Sequence, residues 1–250
     1  MRNFLLLLIA TVATLTGYLL LAFYEVWTGG GVWGAELIEA LIHVGVLLGV
    51  GGPIFLIGYS YGSWMKLPPK GHLLGDVERG VPRRPFRELV RAVLRGLLLG
   101  CLLLAASGII AILVVAILEP RIRMPPSWGY TVPRTVEEGV VLGFAMALAG
   151  PPLEELMFRV GIVGLIAYLY REREASVRIA EVVSGWCFGL AHMFPPLLAG
   201  YTWFGVARGI VSFVAGILLA FVYTRWGLEE AWVAHGTNNF VVAVLSAVLG

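Results

Sequence analysis

Seven apolar stretches of helical length follow one another along this chain, at roughly 3–24, 32–60, 92–118, 137–170, 177–194, 200–224 and 228–249. A helix crosses the hydrocarbon of a bilayer with about 20 apolar residues. In lipid the backbone must satisfy its own hydrogen bonds, which leaves helices or closed barrels. A barrel would show alternating segments of about ten residues, and these runs are continuous. The expectation is an all-α, polytopic transmembrane helical bundle with about seven or eight spans. Composition points the same way. The chain is 59% hydrophobic and only 14% charged, where soluble domains carry about a quarter charged residues.

The N-terminal run, from about Phe4 to Phe23, shows no small-residue cleavage site and reads as a retained first helix. The net charge of +2 is small, and the basic residues lie mostly in loops beside apolar runs, so nucleic-acid binding has no support. Cys101 and Cys187 both sit in apolar runs and read as small buried hydrophobes. The longest polar stretch, about 61–91, holds Lys66, Lys70, Arg79, Arg83, Arg84, Arg87 and Arg91. The positive-inside rule makes it cytoplasmic, and two preceding spans then put the N-terminus on the same side. Arg171, Arg173 and Arg178 mark a second such loop. The whole chain, 1–250, reads as one integral membrane domain of the cell membrane. Helices before 136 form its N-terminal part, and 137–250 carries the residues capable of chemistry.

Those residues start with Glu154, Glu155 and Arg159, inside an apolar run. Ionisable groups at membrane depth are expensive and mark function by default. Gly150-Pro151-Pro152 interrupts the run, so the spacing predicts a helix at 137–149, a break, and a second helix carrying the glutamates. Glu155 and Arg159 are four apart and can pair on one face. Glu154 lies about 100° further round and stays available as a general base. A plain Glu–Arg bridge pinning two helices is the competing reading. Phe188 and His192 lie one turn apart in the next run. A neutral His can share a water with a carboxylate and move its proton. His235 and Asn239 lie one turn apart in the last run, and both can donate to a developing oxyanion. Interhelical hydrogen bonding is the alternative there. Asn238 is rotated away and ranks below Asn239. His43, with Glu36 and Glu39, reads as interhelical or interfacial packing, and His72 as solvated.

Glu154-Glu155-x-x-x-Arg159, Phe188-x-x-x-His192 and His235-x-x-x-Asn239 resemble, in order, the three motifs of the CAAX protease and bacteriocin-processing (Abi) family, which includes the type II CAAX prenyl endopeptidases. The resemblance covers 154–239. It implies a metal-independent glutamate peptidase without cofactor, in which Glu154 and His192 activate water and His235 and Asn239 form the oxyanion hole. Glu155 and Arg159 would support them, Arg159 orienting the acids, with Phe188 as a further supporting residue. The implied partners are membrane lipid and a prenylated or other C-terminal peptide. The family's site opens to the cytosol, and a short pair of helices within 195–224 would bring the charge-based topology into line with that. Other readings are a zinc protease using His192, His235 and a Glu, a non-enzymatic immunity or scaffold protein, and a proton-coupled transporter.

Overall fold

The computed structural model describes residues 2–29, 31–64, 86–122 and 132–249. Most of the basic loop expected near 61–91, with Lys66, Lys70, Arg79, Arg83, Arg84 and His72, lies outside these residues. Among the described residues the elements are helical, with no strand. Helix α1 spans Arg2–Trp27. A second rod consists of α2 (Trp33–Val46), a π-helical turn (Leu47–Gly51) and α3 (Gly52–Trp64). Helix α4 spans Phe86–Leu118. The motif-bearing rod joins α5 (Val136–Ala149), α6 (Pro151–Glu155), a π-helical stretch (Leu156–Val163) and α7 (Gly164–Leu169). Helices α8 (Ser176–Leu198), α9 (Thr202–Arg225) and α10 (Leu228–Leu249) complete the bundle.

Six of these rods are long and apolar enough to cross a membrane. The seventh, α8, has 23 residues, and its polar content (Arg178, Glu181, Ser184 and His192) sets it apart. The span count is therefore six to seven, at or one below the bottom of the seven or eight expected. Helix α4 begins earlier than its apolar window does. Arg87, Glu88, Arg91 and Arg95 occupy its first turns, and Arg95 Nη1 donates to Glu230 Oε1 of α10 at 3.2 Å. Helix α9 runs unbroken from Thr202 to Arg225. The short helix pair that would have added a crossing within 195–224 is thus absent. Nothing from Thr202 to Arg225 breaks a helix, since that stretch holds no proline and its glycines pack against α8.

The motif-bearing rod is built as the sequence predicts. Thr135 caps it, its Oγ1 accepting from the Glu138 amide at 3.2 Å, while Glu138 Oε2 accepts from the Arg134 amide at 2.6 Å. This is a shifted form of the reciprocal capping box. At Gly150 the helix breaks. Pro151 and Pro152 restart it from the first turn, where a missing N–H costs nothing. Half of this span's most apolar window is buried inside the bundle, against 6% for the α4 span. The charged motif thus sits on the central rod, and α4 turns Leu94, Leu98, Leu102, Ile109, Ile112 and Ile117 outward. A face that apolar suits lipid and would be an aggregation surface in water.

Close packing comes from small residues, as is usual where lipid removes the hydrophobic drive between helices. A Cβ at Gly58 of α3 would fall on the carbonyl of Gly161 in the π stretch. Gly200 ends α8 with φ +89, a left-handed conformation that only glycine adopts freely. Gly58→Ala should therefore lower stability by about 1–3 kcal/mol or prevent folding. Gly108→Ala, where nothing lies within 4 Å, should be neutral or slightly stabilising. Thermal unfolding of the two purified variants in detergent checks the contrast.

Candidate active site

The adjacent carboxylates of the central rod have opposite surroundings. Glu155 is fully buried, and Arg159 one turn on is equally so. The guanidinium grips the carboxylate in a fork, with Nε donating to Oε2 at 2.8 Å and Nη2 to Oε1 at 3.3 Å. Planar, bidentate pairing of this kind is the strongest an ion pair offers. Arg159 Nη1 also donates to Ser184 Oγ at 3.0 Å, and that hydroxyl donates to the Phe158 carbonyl at 2.9 Å. A buried pair is tolerable only when its polar atoms find partners, and these bonds give each guanidinium nitrogen one. The sequence predicted the Glu155–Arg159 pairing. It did not point to Ser184, although Ser184, Phe188 and His192 recur at intervals of four on one face of α8.

Glu155 has a second partner that the sequence did not reveal. His235 Nδ1 lies 2.8 Å from its Oε1. A carboxylate only accepts, so Nδ1 carries the proton and donates. This contact orients the ring and brings Nε2 to 3.8 Å from Glu154 Oε2. Glu154 keeps 19% of its side chain exposed, while Glu155 keeps none. The structure thus gathers Glu154, Glu155, Arg159 and His235 into one cluster.

Phe188 is the wedge at its centre. The Arg159 guanidinium lies 4.9 Å from its ring centroid, within cation–π range. On the other sides stand the ring of Phe158 at 5.1 Å, edge-on, His192 at 4.3 Å and His235 at 5.6 Å. His192 Nδ1 is 2.9 Å from the Phe188 carbonyl oxygen. That oxygen also only accepts, so Nδ1–H donates and Nε2 of a neutral ring is left as an acceptor. Glu154 and His235 are within electrostatic reach of His192.

Asn239 is held differently. Its Nδ2 donates to the Met146 carbonyl of α5 at 3.3 Å, and its Oδ1 accepts from Asn238 Nδ2 at 3.3 Å. Met146 lies one turn before the Gly150 break, so Asn239 ties α10 to the same rod that His235 engages. Asn238 faces instead toward Ser107 of α4, whose hydroxyl lies 3.5 Å from its Oδ1. His43 stacks on Tyr18 at 5.3 Å, as a packing role implies. Among the described residues no three His, Cys, Asp or Glu side chains are grouped so as to hold a metal ion.

These surroundings predict different outcomes for neighbouring substitutions. Arg159→Met strips a buried carboxylate of its cation and should cost about 3–5 kcal/mol, seen as a large fall in Tm or loss of folded protein. Glu154→Gln, at a partly open position outside the fork, should leave Tm within about a degree.

No curated protein and no solved structure matches the chain. Residues 136–241, which hold all three motifs, match the family model described as type II CAAX prenyl endopeptidase Rce1-like, and this part of an integral membrane protein carries a domain of that protease family.

Proposed function

We propose that the protein is a glutamate-dependent intramembrane endopeptidase that removes the C-terminal tripeptide from prenylated, CAAX-type substrates, without a metal ion or other cofactor. The observation that carries this reading is the inequality of the paired acids. Glu155 is spent on Arg159 and His235, while Glu154 is partly exposed beside the His235 ring. A buried bridge needs one carboxylate. The second, kept accessible next to two imidazoles, is what hydrolysis requires.

In the proposed cycle a water is held by the Glu154 carboxylate and the acceptor Nε2 of His192. Glu154 takes its proton as the oxygen attacks the scissile carbonyl. The resulting oxyanion accepts hydrogen bonds from His235 Nε2–H and the Asn239 amide. In that role the His235 ring carries both protons, and Glu155 supplies the counter-charge across the 2.8 Å contact. Collapse of the intermediate breaks the C–N bond, and Glu154 returns the proton to the leaving amine. Arg159 holds Glu155 in place, and the Phe188 ring packs against the guanidinium and both imidazoles. Helices before 136 serve as the membrane frame, in the cell membrane with the N-terminus in the cytoplasm. The apolar outer faces of the bundle suit an approach of the prenyl chain from lipid.

The test is cleavage of a fluorogenic farnesylated CAAX peptide by the purified protein in liposomes. Glu154→Gln and His192→Ala should each lose about 10²–10⁴-fold in kcat, and Asn239→Ala about 10²–10³-fold. A chelator should change nothing. Activity that survives Glu154→Gln would refute the glutamate mechanism, and activity lost to chelation and restored by zinc would move the chemistry to a metal.

A further inference from the structure

One intramembrane charge lies near this site yet has no part in the cycle just described. Arg208 is the only ionisable residue between Thr202 and Tyr223 in the apolar span of α9. A guanidinium there is costly and marks function by default. The face of α9 that carries it is fixed by packing. A Cβ on Gly205 would meet the Met193 carbonyl and Leu197, and one on Gly209 would meet Met193 and the Gly189 carbonyl. Residues 205 and 209 therefore press on the turn of α8 that bears His192. Arg208 lies between them in sequence, about 60° from Gly205 around the helix, and is half-buried. Its charge is within electrostatic reach of His192, as is that of Glu154.

We infer that Arg208 is a specificity-determining residue that receives the free α-carboxylate of the substrate's C-terminal tripeptide. The inference rests on the functional reading above. Three extended residues span at most about 10–11 Å, so a tripeptide lying beyond the scissile bond carries its terminal carboxylate only that far from the catalytic groups. Arg208 flanks the packing face against the turn that bears His192. Guanidinium is also the donor matched to carboxylate geometry, through two parallel N–H bonds. Such a residue measures the substrate. It favours a chain end over an internal segment, because only the end presents an anion at membrane depth. A site built to pair a carboxylate discriminates strongly against an analogue that lacks it.

The experiment compares two farnesylated peptides of one sequence, ending in a free carboxylate or in an amide. Both are assayed with the wild-type protein, Arg208→Gln and Arg208→Lys in zwitterionic liposomes. Wild type should show a KM at least about tenfold lower for the acid, a difference of about 1.4 kcal/mol. Arg208→Gln should raise the KM for the acid to that for the amide and leave kcat and the amide's KM within about twofold. Arg208→Lys should keep part of the preference. Equal KM values in wild type, or a KM that Arg208→Gln raises equally for both peptides, would overturn the inference. So would a KM that follows added anionic lipid and ignores the peptide end, which would make Arg208 a headgroup contact. If wild type cleaves neither peptide, the peptidase reading fails on its own. Equilibrium binding of the two labelled peptides then decides on Arg208. An Arg208-dependent preference for the acid upholds the carboxylate site, and equal or absent binding overturns it.

Discussion

The buried Glu155–Arg159 fork is the contact on which the rest of the site depends. It joins residues one turn apart on the central rod, yet its other bonds reach outward to α8 through Ser184 and to α10 through His235. Three rods therefore meet on a single neutralised charge pair. In a low-dielectric interior such a pair is weak support for stability in itself. Its importance is geometric, because Glu155 Oε1 accepts from both the guanidinium and His235 and so fixes one against the other. A hydrophobic replacement could fill the same volume, but it would leave the His235 ring free to turn.

The pair also explains why two acids stand side by side. A single glutamate beside Arg159 would have its charge compensated there and its oxygens occupied. Glu155 accepts that fate, and Glu154, displaced by about 100° around the helix, escapes it. The helix break adds to the effect. Because Gly150-Pro151-Pro152 starts a new helix, Glu154 lies in its first turn, where the helix dipole favours an anion. The backbone that holds Glu154 is thus supportive of the charge the chemistry needs. The π-helical stretch that follows, Leu156–Val163, is entirely interior to the rod and includes Arg159. Such stretches are frequent at functional sites, and here one sets the register between the fork and the α3 packing at Gly161.

Much of this was legible in the sequence, and for a definite reason. Every feature read correctly was local in the chain. The apolar runs set the helices, the proline pair set the break, and spacings of four set the Glu155–Arg159 pairing and the shared faces of Phe188 with His192 and of His235 with Asn239. What stayed hidden was contact between helices. Glu155 and His235 are 80 residues apart, and nothing in either helix names the other as partner. Asn239 meets a backbone carbonyl, at Met146, which no side-chain pattern can announce. The N-terminal extension of α4 was missed because apolarity reports where a helix enters lipid, and Arg87, Glu88 and Arg91 continue that helix beyond the apolar run that starts at 92. Ser184 was the one hidden contact with a usable signal, being one turn before Phe188 on the same face.

Phe188 shows why an apolar residue belongs in a motif made of charges. Its ring is in contact range of a guanidinium, two imidazoles and a second phenyl ring at once. At low dielectric, charges a few ångströms apart interact far more strongly than in water. The ring face is attractive to the cation through its quadrupole, so it helps hold the guanidinium beside Glu155. Truncation to alanine would leave the site's polar atoms chemically intact and still remove the face against which the guanidinium rests. The selection of an aromatic at this position follows from that requirement: an aliphatic side chain fills space but gives the cation no reason to stay.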